Sequence, residues 1–219
     1  MPRMAKLNLK IRLPVVIIIC SFCSLCAAQE KPKLTYGILV DSTGSMRTQF
    51  GAVLTIAKSL VDQIHEHGPV SIFDFHSDLV SRGNKNAEPK VRIEASQNKD
   101  LLLRTIDQIY IEGGQTTLLD AIEFMRATLN KQSPDAEKVI ILITDGEDRT
   151  SSTKRTQLVE DLTKDKIRVF AIGLVQDLEN GKTKATNLLR TLSEGTGGRA
   201  IFPKSIRDFD LKALAIPIE

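Results

Sequence analysis

Three groups of oxygen-bearing side chains could carry chemistry in this chain. Asp41, Thr43 and Ser45 are spaced two apart around Gly44, Thr116 and Thr117 follow Gly113-Gly114-Gln115, and Asp145 follows an apolar run and precedes Gly146. Hydroxyls and carboxylates without sulfur or imidazole suit a hard cation. Mg²⁺ is the natural candidate because it accepts octahedral oxygen ligation and keeps some of its waters, with Mn²⁺ or Ca²⁺ as substitutes. Where hydroxyls make several of the contacts, a divalent ion is not fully neutralised by the protein and stays attractive to a carboxylate brought by a partner.

Such groups need strands and helices to bring them together. Ile38-Leu39-Val40 lacks polar alternation, as expected of a parallel strand buried on both faces, and Val139–Ile143 repeats the pattern ahead of Thr144-Asp145. Phe50, Val53, Leu54, Ala57, Leu60, Val61 and Ile64 recur at three-and-four spacing and predict a helix over Met46–His67, stopped by Gly68-Pro69. A strand at Val70–Phe75, a polar stretch Ser77–Glu88, an edge strand at Val91–Ala95 and helices over Lys99–Ile109 and Leu118–Leu129 come next. Beyond the second apolar run lie a helix over Lys154–Lys164, a strand Ile167–Leu174, a helix near Ala185–Glu194, a short strand Arg199–Phe202 and a short helix in Ile206–Ala215. This alternation predicts an α/β fold: a doubly wound, mostly parallel central sheet with helices on both faces, Rossmann-like, and one short antiparallel edge strand. Ligands in such sheets bind beyond the carboxyl ends of the strands where strand order reverses. Asp41 and Asp145 meet there if their strands are neighbours.

The first residues read differently. Arg3, Lys6, Lys10 and Arg12 precede an uncharged apolar run, Leu13–Leu25, followed by Cys26-Ala27-Ala28. This is the layout of a secretory signal cut after Ala28, and the run is short for a membrane-spanning helix. Residues 1–28 are therefore expected to be a signal peptide and 29–219 the folded domain, secreted or periplasmic. A membrane contact is implied only if the segment is not cleaved. The full chain carries 30 basic and 27 acidic residues, but the signal holds four of the basic ones, leaving 26 against 27. A balance near zero gives no reason to expect nucleic acid as a partner. Cys20, Cys23 and Cys26 all lie in the apolar run, so the mature domain is expected to be free of cysteine and to hold together without disulfides.

These motifs resemble the von Willebrand factor type A domain. Asp41-Ser42-Thr43-Gly44-Ser45 matches the D-x-[S/T]-x-S signature of that family and Thr144-Asp145-Gly146 its T-D-G. Gly113-Gly114-Gln115-Thr116, followed by Asp120-Ala121-Ile122, is similar to its threonine loop, and Leu192–Pro203 to the last helix-to-strand turn of secreted bacterial members. The resemblance implies a metal-ion-dependent adhesion site. Thr43 and Ser45 would ligate Mg²⁺ directly, Asp41 and Asp145 largely through waters, and Thr116 directly or through water, leaving one position for an acidic residue of a protein ligand. Many bacterial relatives continue into a further strand, whereas this chain ends at Ile216-Pro217-Ile218-Glu219, so the sheet edge is expected to differ.

Competing readings attach to several of these residues. Ser45 could be an ordinary helix cap and Asp145-Gly146 a plain turn. Glu147 and Asp148 read as rim acids, and Asp120 as an acid favoured in a first helical turn. His65-Glu66-His67 invites zinc, but histidines two apart on a helix diverge. Gly195–Gly198 lacks the Lys-Ser/Thr of a phosphate loop. A Mg²⁺-dependent phosphatase with Asp41 as nucleophile and Asp145-Gly146-Glu147-Asp148 on the metal is the alternative function. It would need a general acid where Thr43 stands. No Ser/His/Asp pattern suggests turnover, so the expectation is a binding module and no enzyme.

Overall fold

The structure is a computed structural model, and the described residues are 34–76 and 89–218. The expected signal segment with its three cysteines and the polar stretch Ser77–Glu88 lie outside them. Six strands form the sheet: β1 (Leu34–Asp41), β2 (Val70–Phe75), β3 (Lys90–Ser96), β4 (Glu137–Thr144), β5 (Ile167–Gly173) and β6 (Ala200–Ile201), in the order β3-β2-β1-β4-β5-β6. Every neighbouring pair is parallel except β2 with β3, which makes β3 the antiparallel edge the sequence predicts. Chain order reverses between β1 and β4.

The apolar runs behave as strands covered on both faces must. Tyr36, Ile38 and Val40 of β1, with Val139, Ile141 and Ile143 of β4, enter one core, whereas Leu39, Ile140 and Leu142 enter the other. Helices α1 (Phe50–Ile64) and α2 (Lys99–Asp107) cover the first face. Helices α3 (Leu118–Gln132), α4 (Arg155–Lys164) and α5 (Lys182–Glu194) cover the second. Each fully buried aliphatic side chain contributes about 1.5–3 kcal/mol of transfer free energy. The central strands β1 and β4 thus hold the two helical layers together with no polar residue in their middles.

Two elements differ from the sequence expectation. The helix predicted from Met46 opens instead as a 3₁₀ segment, Gly44–Gln49, and becomes α-helical at Phe50. The tighter winding, with Met46 N–H donating to the Thr43 carbonyl at 3.1 Å, buries Met46 while leaving Ser45 at the top of the sheet. At its other end the helix stops at Ile64 rather than His67, so His65 to His67 lie past the last turn. The expected short C-terminal helix is two 3₁₀ pieces, Ile206–Asp208 and Leu211–Leu214. Leu214 and Ile216, two apart, both reach the first core, a spacing one helical face does not supply. Among the described residues no helix is long and apolar enough to cross a membrane.

Gly68 joins α1 to β2 where nothing larger fits. A Cβ there would lie 2.1 Å from the Leu34 carbonyl oxygen, a backbone atom that cannot step aside. Gly51, in the first turn of α1, has nothing within 4 Å of its added Cβ. We expect Gly68→Ala to destabilise the fold by about 1–3 kcal/mol and Gly51→Ala to stabilise it by about 0.5 kcal/mol, both read by urea unfolding. Equal effects of the two substitutions would refute this packing account.

Candidate functional site

Because β1 and β4 are adjacent, with Val40 opposite Ile143, the loops that follow them open side by side at the reversal point. Asp41 closes β1 and is completely buried. Its Oδ1 accepts the Thr43 amide at 3.0 Å and the Thr43 hydroxyl at 2.6 Å, and its Oδ2 accepts the Thr144 hydroxyl at 2.6 Å. The Thr144 oxygen in turn accepts the Gly146 amide at 3.0 Å. The Ser45 hydroxyl lies 3.1 Å from that of Thr43. Asp145 accepts the Glu147 amide at 2.9 Å through Oδ1, while its Oδ2 is buried without a hydrogen-bond partner.

The third loop is clamped onto the second. The Thr116 carbonyl accepts the amides of Arg149 and Thr150 at 3.0 and 3.3 Å, and Gly113 and Gly114 supply the left-handed backbone (φ 83° and 78°) that turns the loop inward. Thr43, Ser45 and Thr116 then line one pocket of about 230 Å³, with Gln115, Glu147 and Arg149 at its margin. Thr117 instead precedes α3, where its carbonyl accepts the Ala121 amide at 3.0 Å. The structure therefore gathers Asp41, Thr43, Ser45 and Thr116, with Asp145 close enough to Asp41 to perturb it.

That perturbation is the dominant electrostatic fact of the site. Burial first, and then the Asp145 carboxylate, push the Asp41 pKa up to about 7, against the pull of hydrogen bonds from Thr144 and Thr43. Two acids are buried together, and one of their oxygens has no donor among the described residues. An all-oxygen donor set with unbalanced negative charge and an orphaned buried acceptor fits a hard divalent cation. Asp41, Thr43, Ser45, Thr116 and Asp145 are the residues that would hold it.

Sequence reasoning missed a second cluster beside the first. Asp74, His76 and Glu112 bring ligand atoms within 4.8 Å of one another. Their charge is already met. Both Asp74 oxygens accept from the Arg92 guanidinium, Glu112 accepts Arg92 and Lys90 at 3.0 Å each, and His76 Nε2 lies 3.2 Å from the other Glu112 oxygen. Ser42, between the two signature residues, donates to Asp74 at 3.2 Å, and its carbonyl accepts the Glu112 amide at 3.1 Å. The cluster thus ties the threonine loop to the signature loop. A buried Asp74 inside the apolar Val70–Phe75 was the available signal, since an interior charge demands a partner.

The sequence profile of the von Willebrand factor type A domain matches residues 37–214. The chain belongs to that family. No curated protein matches the sequence of this type A domain. Among solved structures it is similar to an aerotolerance-related membrane protein from Bacteroides fragilis, at 15% identity and a TM-score of 0.63, covering 83% of this chain and 96% of that one. It is also similar to a von Willebrand factor type A protein from Catenulispora acidiphila, at 17% identity and a TM-score of 0.60 over 80% of this chain and 40% of that one. The pilus adhesin SpaC of Lactobacillus rhamnosus GG gives 17% identity and a TM-score of 0.59 over 82% of this chain and 29% of that one. At these identities the likeness establishes the fold.

The raised Asp41 pKa makes the metal-free type A domain sensitive to pH. Between about pH 4, where an unfolded aspartate ionises, and pH 7, the folded state keeps a proton that the unfolded chain has released. The stabilisation is complete below this window and is lost as the pH rises through it. In chelator, we expect unfolding free energy to fall by on the order of 4 kcal/mol from this group across the window, and Asp41→Asn to remove the fall. Urea unfolding over a pH series checks this, and a flat wild-type profile would contradict it.

Proposed function

We propose that this type A domain is a secreted or periplasmic binding module that engages a protein partner through a divalent cation, with Mg²⁺ the natural occupant. Family membership, with an adhesin among the structural neighbours, supports a protein-interaction role. The observation that carries the metal-dependent reading is the buried Asp41 and Asp145 pair, with the orphaned Asp145 oxygen beside a pocket lined by Thr43, Ser45 and Thr116. A cation bound there supplies a Lewis-acidic position for a carboxylate of the partner. The chain's own contribution is to fix the oxygens beforehand: Thr43 and Thr144 hold both Asp41 oxygens, and the backbone clamp on Thr116 keeps the third loop in reach.

Binding is favoured over turnover by the same hydrogen bonds. Asp41 has both oxygens occupied, which leaves it poorly disposed as a nucleophile, and Thr43 stands where a phosphatase of this layout needs its proton donor. The neighbouring Asp74–His76–Glu112 cluster is held by Arg92 and Lys90, so its acids are less available to a metal than Asp145.

Calorimetry with Mg²⁺ and Mn²⁺ tests the reading. We expect one saturable site that Asp145→Ala or Ser45→Ala removes, and a stability gain of about 2.7 kcal/mol at a hundredfold excess over Kd that chelator reverses. Absence of binding, or binding unchanged in both variants, would overturn it. Turnover of a generic phosphate ester abolished by Asp41→Asn would favour the enzyme instead.

A further inference from the structure

The pocket beside the metal-site residues has a neighbour. A smaller cavity of about 90 Å³ lies between the loop after β4 and the start of α5, lined by Gly146, Gly181, Lys184 and Leu188 among others. Glu147 and Arg149 line both cavities and form the partition between them. Arg149 is built into place at two levels. Its amide donates to the Thr116 carbonyl at 3.0 Å, and its Nε and Nη2 donate to a single Glu147 oxygen at 3.0 and 2.5 Å. One edge of the guanidinium is thereby fixed. Nη1, on the opposite edge, has no acceptor among the described residues, and the side chain is 59% exposed.

The surroundings of the smaller cavity favour an anion. Lys184 adds a second cation, and α5 follows Gly181, which offers no side-chain cap to its first amides. Of the two acids in its lining, Glu147 is taken by Arg149, and Asp148 accepts the Ser151 hydroxyl and the Leu119 amide. A planar guanidinium with one free edge beside a carboxylate-seeking pocket is suited to a second carboxylate.

We propose that Arg149 is a specificity-determining residue for the binding function: the face selects a partner presenting two neighbouring acidic groups, one directed to the cation and the other to the free edge of Arg149. This inference rests on the metal-dependent reading above. It assigns Arg149 no part in holding the metal. Because the guanidinium is exposed, its contribution is modest, about fivefold in affinity.

The test uses the full chain saturated with Mg²⁺ and follows amide chemical shifts by NMR during titration with acetate, succinate, glutarate and adipate. We expect the dicarboxylate of matching span to bind about fivefold tighter than acetate, and Arg149→Ala to abolish that preference while leaving the affinities for acetate and Mg²⁺ unchanged. Lys184→Ala should weaken the preference only in part. A preference that survives Arg149→Ala, or no preference in the wild type, overturns the proposal. So does weaker binding of acetate and dicarboxylates alike in Arg149→Ala that Glu147→Gln restores, which would mean that Arg149 only keeps Glu147 away from the metal. Acetate binding independent of Mg²⁺ overturns the metal-dependent reading along with it, whereas Mg²⁺-dependent acetate binding without dicarboxylate preference overturns this inference alone.

Discussion

The constraint on which the site depends is the repulsion between two carboxylates buried at the ends of adjacent parallel strands. Asp41 and Asp145 occupy the one place in the sheet where two carboxyl-terminal loops open together with no intervening crossover. Removing a carboxylate from water is unfavourable, and doing so beside another is more so. The protein answers with hydroxyls and amides from Thr43, Thr144 and the Glu147 backbone, which satisfy three of the four oxygens without neutralising either charge. The remaining charge is met by a proton at low pH, and a cation would meet it at higher pH. The site is a strained arrangement held by a strong sheet.

A few ångströms away the same problem is solved within the protein. Asp74 is as deeply buried as Asp41, but the Arg92 guanidinium from the neighbouring antiparallel strand meets both of its oxygens. Bidentate pairing of this kind compensates for lost hydration far better than neutral donors do. The contrast is informative because the two acids are linked through Ser42. One carboxylate is complemented from inside, which locks the threonine loop to β2 and β3 through Glu112. The other is left short of positive charge and is bonded to Thr43, which lines a pocket. The Arg92 cluster ties the loops together, and the deficit at Asp41 and Asp145 is one that a cation would answer.

Much of this was legible in the sequence. The uninterrupted apolar runs before Asp41 and Asp145 announced two-sided burial, and every expected strand and major helix is present, because a doubly wound sheet imposes its periodicity strongly on sequence. The signature, threonine-loop and T-D-G motifs pointed to residues that the fold does bring together. Features set by long-range contacts were hidden. The 3₁₀ entry at Gly44–Gln49 follows from burying Met46 without moving Ser45, and the two-residue spacing of Leu214 and Ile216 overrides a weak local helical preference. Arg92, Glu112 and Arg149 carried no local signal. Charged residues in edge strands and loops are usually solvated, and only the tertiary arrangement distinguishes these three.

The division of charge also explains why hydroxyls rather than further acids complete the pocket. Had Thr43 or Ser45 been carboxylates, the space around Asp41 would hold three negative groups, and the repulsion that adds to burial in raising Asp41 to about 7 would grow. A bound cation would then be over-neutralised and indifferent to an incoming acid. Neutral hydroxyls contribute ligand oxygens without that penalty and keep residual positive potential directed outward. The same argument applies to the rim. Glu147 is the one acid that shares the pocket lining with Thr43, Ser45 and Thr116, and Arg149 occupies one of its oxygens. The rim therefore pairs its single acid with a cation of its own. Charge is thus controlled in the loops after β1 and β4, and in each case by the residue two positions removed: Thr43 on Asp41, Glu147 on Asp145 through its amide, and Arg149 on Glu147.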